Sequence, residues 1–195
     1  MPSAALIRWR NANLLRLDEL EKVHADATGR ARGRRWGTEQ FNRTLFVVLT
    51  AQFQDFCRAL HDQAVTVHVR QVPLAQQQIL GTVLTRGRKL DTGTPRKGSL
   101  GGDFGTLGLD LLGGLKGRGV TTVRRLDRLE MLVDFRNAIV HGNEDTIRSL
   151  VAGGVIAATK GSYVMHRRAL NGLAATMDDE VAGQLGTLLK IGRPW

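Results

Sequence analysis

"FNRTLFVVLTAQFQDFCRAL", residues 41–60, decides the fold class. Phe41, Leu45, Leu49, Phe53, Phe56, Cys57 and Leu60 recur every three or four residues over five turns, the spacing of one face of an α-helix. A stripe of that length belongs in a core. Thr38 is a candidate cap for this helix, which extends to about Ala64 or a little beyond. The following "VTVHVR" (65–70) reads equally as a helix end or a short extended piece, because its β-branched residues suit either.

Working outward, residues 12–28 read as an earlier helix, with Leu14, Leu17 and Val23 apolar and Gly29 after the end. A basic, glycine-broken connector, "GRARGRRWG" (29–37), joins the two. On the other side, Pro73 suits the first turn of a helix reaching about Thr85. Residues 87–119 are basic and glycine-rich, which predicts a long flexible loop or insertion, with "TLGLDLLGGLKG" (106–117) as a broken helix on the surface. Thr121 opens a long amphipathic helix to about His141, where Gly142 and Asn143 are stop signals. "NEDTIRSLVAGG" (143–154) suggests a short helix, and the loose alternation of 155–165 around Lys160-Gly161 a small β-hairpin. A terminal helix follows from Thr176, with Asp179 three residues on and Val181, Leu185 and Leu188 on one face. The expected architecture is all-α, a helical bundle forming a single domain over 1–195.

Composition limits the function classes. A chain of 195 residues can bury about 70% of its extended surface in one domain. The formal charge of +10 favours a polyanionic partner. Arginine outnumbers lysine by 22 to 6, an excess that coding bias also produces, which weakens the charge argument. "MPSAALIRWRN" lacks the apolar core of a signal peptide, and the longest strongly apolar run, "LFVVLTA" (45–51), is far short of a membrane span. A cytoplasmic protein with no membrane contact is expected. Cys57 is the single cysteine and lies on an apolar helix face, which excludes a disulfide framework and makes a buried hydrophobe its expected role.

Familiar chemistries fail on spacing. "GTPRKGS" (93–99) lacks the phosphate-loop pattern, and no preceding strand points backbone amides at a ligand. His24, His61, His68, His141 and His166 form no H-x-x-x-H pair and have no cysteine partner, so neither a metal site nor a cofactor is expected. His61 falls one position past the apolar stripe and reads as a surface or half-buried residue. Trp9, Trp36 and Trp195 are too scattered for a base-stacking platform and read as packing residues.

One residue breaks its pattern. On the helix over 126–141, Leu126, Leu129, Leu132, Val133, Phe135, Ile139 and Val140 fill a broad apolar arc, and Arg136 falls near its middle. Three accounts compete. Arg136 can snorkel to water along its stem. It can belong to a structural ion pair, with Glu130 and Asp134 as local carboxylates. Or the arc faces a cleft or a second subunit, where a fixed guanidinium meets an anion. Asn137 and His141, four residues apart, share one side of the helix.

The run Arg136-Asn137-Ala138-Ile139-Val140-His141 resembles the R-N-x-x-x-H version of the R-x4-6-H motif of HEPN domains, with the specific likeness confined to about residues 121–143. These are helical-bundle proteins common in bacterial toxin–antitoxin and other RNA-targeting defence systems. The resemblance implies a metal-independent endoribonuclease whose two motif helices meet across a homodimer to form a composite site. It implies catalytic roles for Arg136, His141 and Asn137. Histidine exchanges protons near neutral pH, and arginine offers a permanent bidentate charge to phosphorane oxygens. RNA is then the expected partner, tracked by Arg30, Arg32, Arg34 and Arg35 and by Arg86, Arg88, Lys89, Arg96 and Lys97. An antitoxin or regulatory protein is a further expected partner. The alternative is a non-catalytic helical module that binds RNA or protein.

Overall fold

The computed structural model describes residues 1–27 and 36–195. Arg30, Arg32, Arg34 and Arg35 lie outside the described residues. Among those described there are helices and turns and no strand. No helix among them is long and apolar enough to cross a membrane.

The chain enters through α1 (Ala4–Arg8), a π-helical turn (Trp9–Asn13) and α2 (Leu14–Ala27). The helical run therefore begins well before residue 12. Ser3 starts it by accepting the Leu6 N–H at 2.9 Å. The wider π turn buries Trp9, which meets the edge of Phe53 with centroids 5.6 Å apart.

α3 (Trp36–Val69) is the spine. Leu45, Leu49, Phe53, Phe56, Cys57 and Leu60 are buried as the stripe requires, with Phe46 beside them. Phe41 is the exception at 42% exposure: it lies edge-on to His24, near the end of α2 and outside the core. The β-branched end stays helical because Val65 and Val67 are buried there, and packing outweighs their modest helix propensity. α4 (Leu74–Thr85) returns along α3 with Pro73 at its start.

The largest correction concerns 87–119. The expected long loop is instead α5 (Lys89–Thr92), α6 (Lys97–Gly105) and α7 (Leu111–Gly117). Leu90, Leu100, Phe104, Leu107, Leu109, Leu111 and Leu115 all enter the core, so the segment is integral to it. Two of its glycines serve close packing. A Cβ at Gly101 would stand 2.9 Å from Leu112 Cδ1, and one at Gly114 would stand 2.1 Å from Glu180 Oε1. A polar pin holds the fold-back: the buried carboxylate of Asp103 accepts the N–H groups of Lys89 and Leu90 at 2.8 Å each.

α8 (Val120–Val140) and α10 (Lys160–Leu189) pack on α3 and on each other. Their junction is aromatic. Phe46 of α3 meets Phe135 of α8 edge-on at 5.1 Å, and Tyr163 and His166 of α10 at 5.9 Å each. The expected hairpin at 155–165 is absent. Thr159 caps α10 by accepting the Ser162 N–H, and Lys160-Gly161 is the first turn of that helix rather than a hairpin tip. The expected terminal helix from Thr176 is thus the second half of α10.

Candidate functional site

α8 ends in a turn that the local sequence dictates. Gly142 adopts φ +64°, the left-handed conformation glycine takes at least cost. Its N–H donates to Ile139 O, and that of Asn143 to Ala138 O at 2.9 Å, so the carbonyls of Ala138 and Ile139 in the last turn of α8 are satisfied. Asn143 then caps α9 (Glu144–Ala152) by accepting the Thr146 N–H at 3.0 Å. From α3, Arg43 donates to both carboxylate oxygens of Glu144, at 2.5 and 3.0 Å, and fixes where α9 starts. These hydrogen bonds hold the Arg43 guanidinium above its ordinary pKa.

Between α8 and α9 lies an open groove of about 360 Å³, lined by Asp134, Asn137, Ala138, His141, Asn143 and Thr146. His141, the residue that caps the end of α8, is exposed there. Arg136 does not line the groove but is joined to it, because its Nη1 donates to Asn137 Oδ1 at 3.0 Å. Arg136 is half-buried, and among the described residues no carboxylate pairs with it. The sequence motif thus appears in space as a chain: guanidinium, amide, and an open imidazole one helical turn on.

The local ion-pair account of Arg136 does not hold. Asp134 and Glu130 are taken by Arg96, at 2.5 and 3.5 Å, and Asp127 by Lys97 Nζ at 2.7 Å. Glu130 also accepts the backbone N–H of Lys97 at 2.5 Å, which satisfies the start of α6. Asp127, Glu130 and Asp134 form an acidic ridge along α8, spaced three and four residues apart. That spacing was the available signal for this contact.

The expected RNA-tracking residues divide accordingly. Arg96 and Lys97 are neutralised on the ridge. Arg88 is nearly buried at 8% side-chain exposure, pairing with Asp62 at 2.5 Å and Asp91 at 2.9 Å. Its Nη1 also stands 3.3 Å from Nδ1 of His61, a residue that is fully buried rather than at the surface. Arg86 and Lys89 are exposed and have no ion pair among the described residues. Cys57 is buried, and burial pushes its thiol well above the ordinary range. No cluster of three or more potential metal ligands occurs among the described residues.

The chain matches no family model, no curated protein and no solved structure.

Proposed function

We propose that the protein is a HEPN-like, metal-independent endoribonuclease acting as a homodimer in a toxin–antitoxin or defence role. The observation that carries this reading is the juxtaposition at the end of α8. A guanidinium without a carboxylate partner is tethered through Asn137 to a groove holding an exposed histidine. An unpaired cation beside a proton-exchanging group suits a phosphodiester.

RNA supplies its own nucleophile. In the proposed reaction, neutral His141 of one copy takes the 2′-hydroxyl proton as O2′ bonds to phosphorus. The imidazolium of the second copy's His141 gives its proton to the departing 5′-oxygen. The products are a 2′,3′-cyclic phosphate and a 5′-hydroxyl. Arg136 stabilises charge on the phosphorane oxygens, and Asn137 fixes the guanidinium it touches. One chain has a single histidine in this groove, so acid and base together require two copies. Val140, 49% exposed beside His141, supplies apolar surface for such a contact.

The test is growth during controlled expression. Wild-type protein should arrest growth, and His141→Ala at the same soluble level should not. Arrest undiminished in His141→Ala would contradict the reading.

A further inference from the structure

Nearer the start of α8, between it and α10, lies a second cavity, of about 310 Å³, lined by Arg124, Asp127, Arg128, Met131, Met165 and His166. The proposed nuclease reaction does not use it. Arg124 and Arg128 are one helical turn apart on the same face, and neither has an ion pair among the described residues. The cavity's acid is already occupied, since Lys97 Nζ lies 2.7 Å from the carboxylate of Asp127. Two uncompensated guanidinium groups therefore open onto one pocket.

His166 makes the pocket selective. It is 1% exposed, and its ring is fixed between two contacts. Nδ1–H donates to Ser162 O at 2.9 Å, and Phe46 stands against the ring at 5.9 Å. Donation from Nδ1 sets the neutral tautomer, so Nε2 carries a lone pair. That Nε2 is buried and has no hydrogen-bond partner, though buried polar groups are rarely left without one. Burial lowers the basicity of the ring, with Arg128 acting in the same direction.

A ligand matching these groups carries negative charge for the arginines and an acidic proton for Nε2. We propose that this cavity binds a phosphomonoester group, either free phosphate or the terminal phosphate of a nucleotide. With a second pKa of about 6, roughly a tenth of it still carries a proton at pH 7 to share with an acceptor, and about half does at pH 6. Sulfate and carboxylates offer acceptors only and leave Nε2 unsatisfied. Met131 and Met165 provide an apolar wall against which the base of a nucleotide can lie.

The experiment is calorimetric titration of the full-length protein, in low-salt buffer near pH 7, with inorganic phosphate, AMP and sulfate. Saturable binding of phosphate or AMP is expected, with sulfate at least tenfold weaker. Arg128→Gln and His166→Gln should each weaken binding at least tenfold. Arg148→Gln, on exposed α9, should leave it unchanged. AMP binding much tighter than phosphate would identify the nucleotide as the source; equal affinities would identify free phosphate. A shift of the His166 ring resonances on adding phosphate to wild-type protein provides a readout that needs no variant. The proposal is overturned by absence of saturable binding, by sulfate binding as tightly as phosphate, or by full affinity in folded Arg128→Gln. None of these outcomes depends on RNA cleavage.

Discussion

Replacing Asp103 by alanine should loosen the whole 87–119 segment. Its carboxylate is 4% exposed and accepts two backbone N–H groups at 2.8 Å from the start of α5. A hydrogen bond to a charged group contributes about 1.5–3 kcal/mol net. The Lys89 amide belongs to an exposed residue and can recover water, whereas Leu90 is fully buried and cannot. The combined loss should be about 2–4 kcal/mol. With a urea slope of about 2.5 kcal/mol per molar, the midpoint should fall by roughly 1–1.5 M. Asp103→Asn, which keeps one acceptor, should lose about half as much. Hydrogen exchange should speed up first at the amides of Lys89 and Leu90. A midpoint shift under about 0.3 M, with protection kept at Leu90 and Phe104, would refute the claim that this segment is pinned into the core.

Further outcomes follow from the same contacts. Gly142→Ala places a side chain at φ +64° and should cost about 1 kcal/mol in urea unfolding, while Gly161→Ala, in open space, should cost nothing measurable. Arg88→Gln should lower stability by about 1–2 kcal/mol because it leaves a nearly buried network, whereas exposed Arg86→Gln should leave stability unchanged. Acidification from pH 7 to 5 should lower the urea midpoint. Burial depresses the pKa values of His24, His61, His68 and His166, so the unfolded chain takes up protons that the folded one refuses as pH drops below about 6.5. Asp178, raised by burial, acts the other way as a single group and should not reverse the trend; a higher midpoint at pH 5 would contradict this assignment.

The legible parts of the sequence were those with strong periodicity. The stripe from Leu45 to Leu60 and the arc of α8 from Leu126 to Phe135 each repeat over several turns, so their buried faces follow from spacing, whereas Val140 at the end of the arc is exposed. The turn after His141 was legible because Gly142 and Asn143 carry specific backbone chemistry. The 87–119 segment was misread because glycine signals flexibility and close packing alike. What decides between them at Gly101 and Gly114 is a neighbour, Leu112 or the distant Glu180. At the site, the proximity of Asn137 and His141 followed from helical spacing. The neutralisation of Arg88, Arg96 and Lys97 did not, because their carboxylates lie 26 to 38 residues away apart from Asp91. A run of basic residues shows supply of charge, and only the fold shows how much is already paired.

The most direct measurement is cleavage of total tRNA and a structured messenger RNA in EDTA by wild type, Arg136→Ala and His141→Ala, each shown to be folded and of wild-type oligomeric state. Wild type should cut and leave 2′,3′-cyclic phosphate ends. His141→Ala should lose about 10²–10⁴-fold in rate and Arg136→Ala about 10²–10³-fold. Cleavage that persists in both folded variants, or no cleavage by wild type on any of these RNAs, would contradict the assignment of this groove as a ribonuclease site.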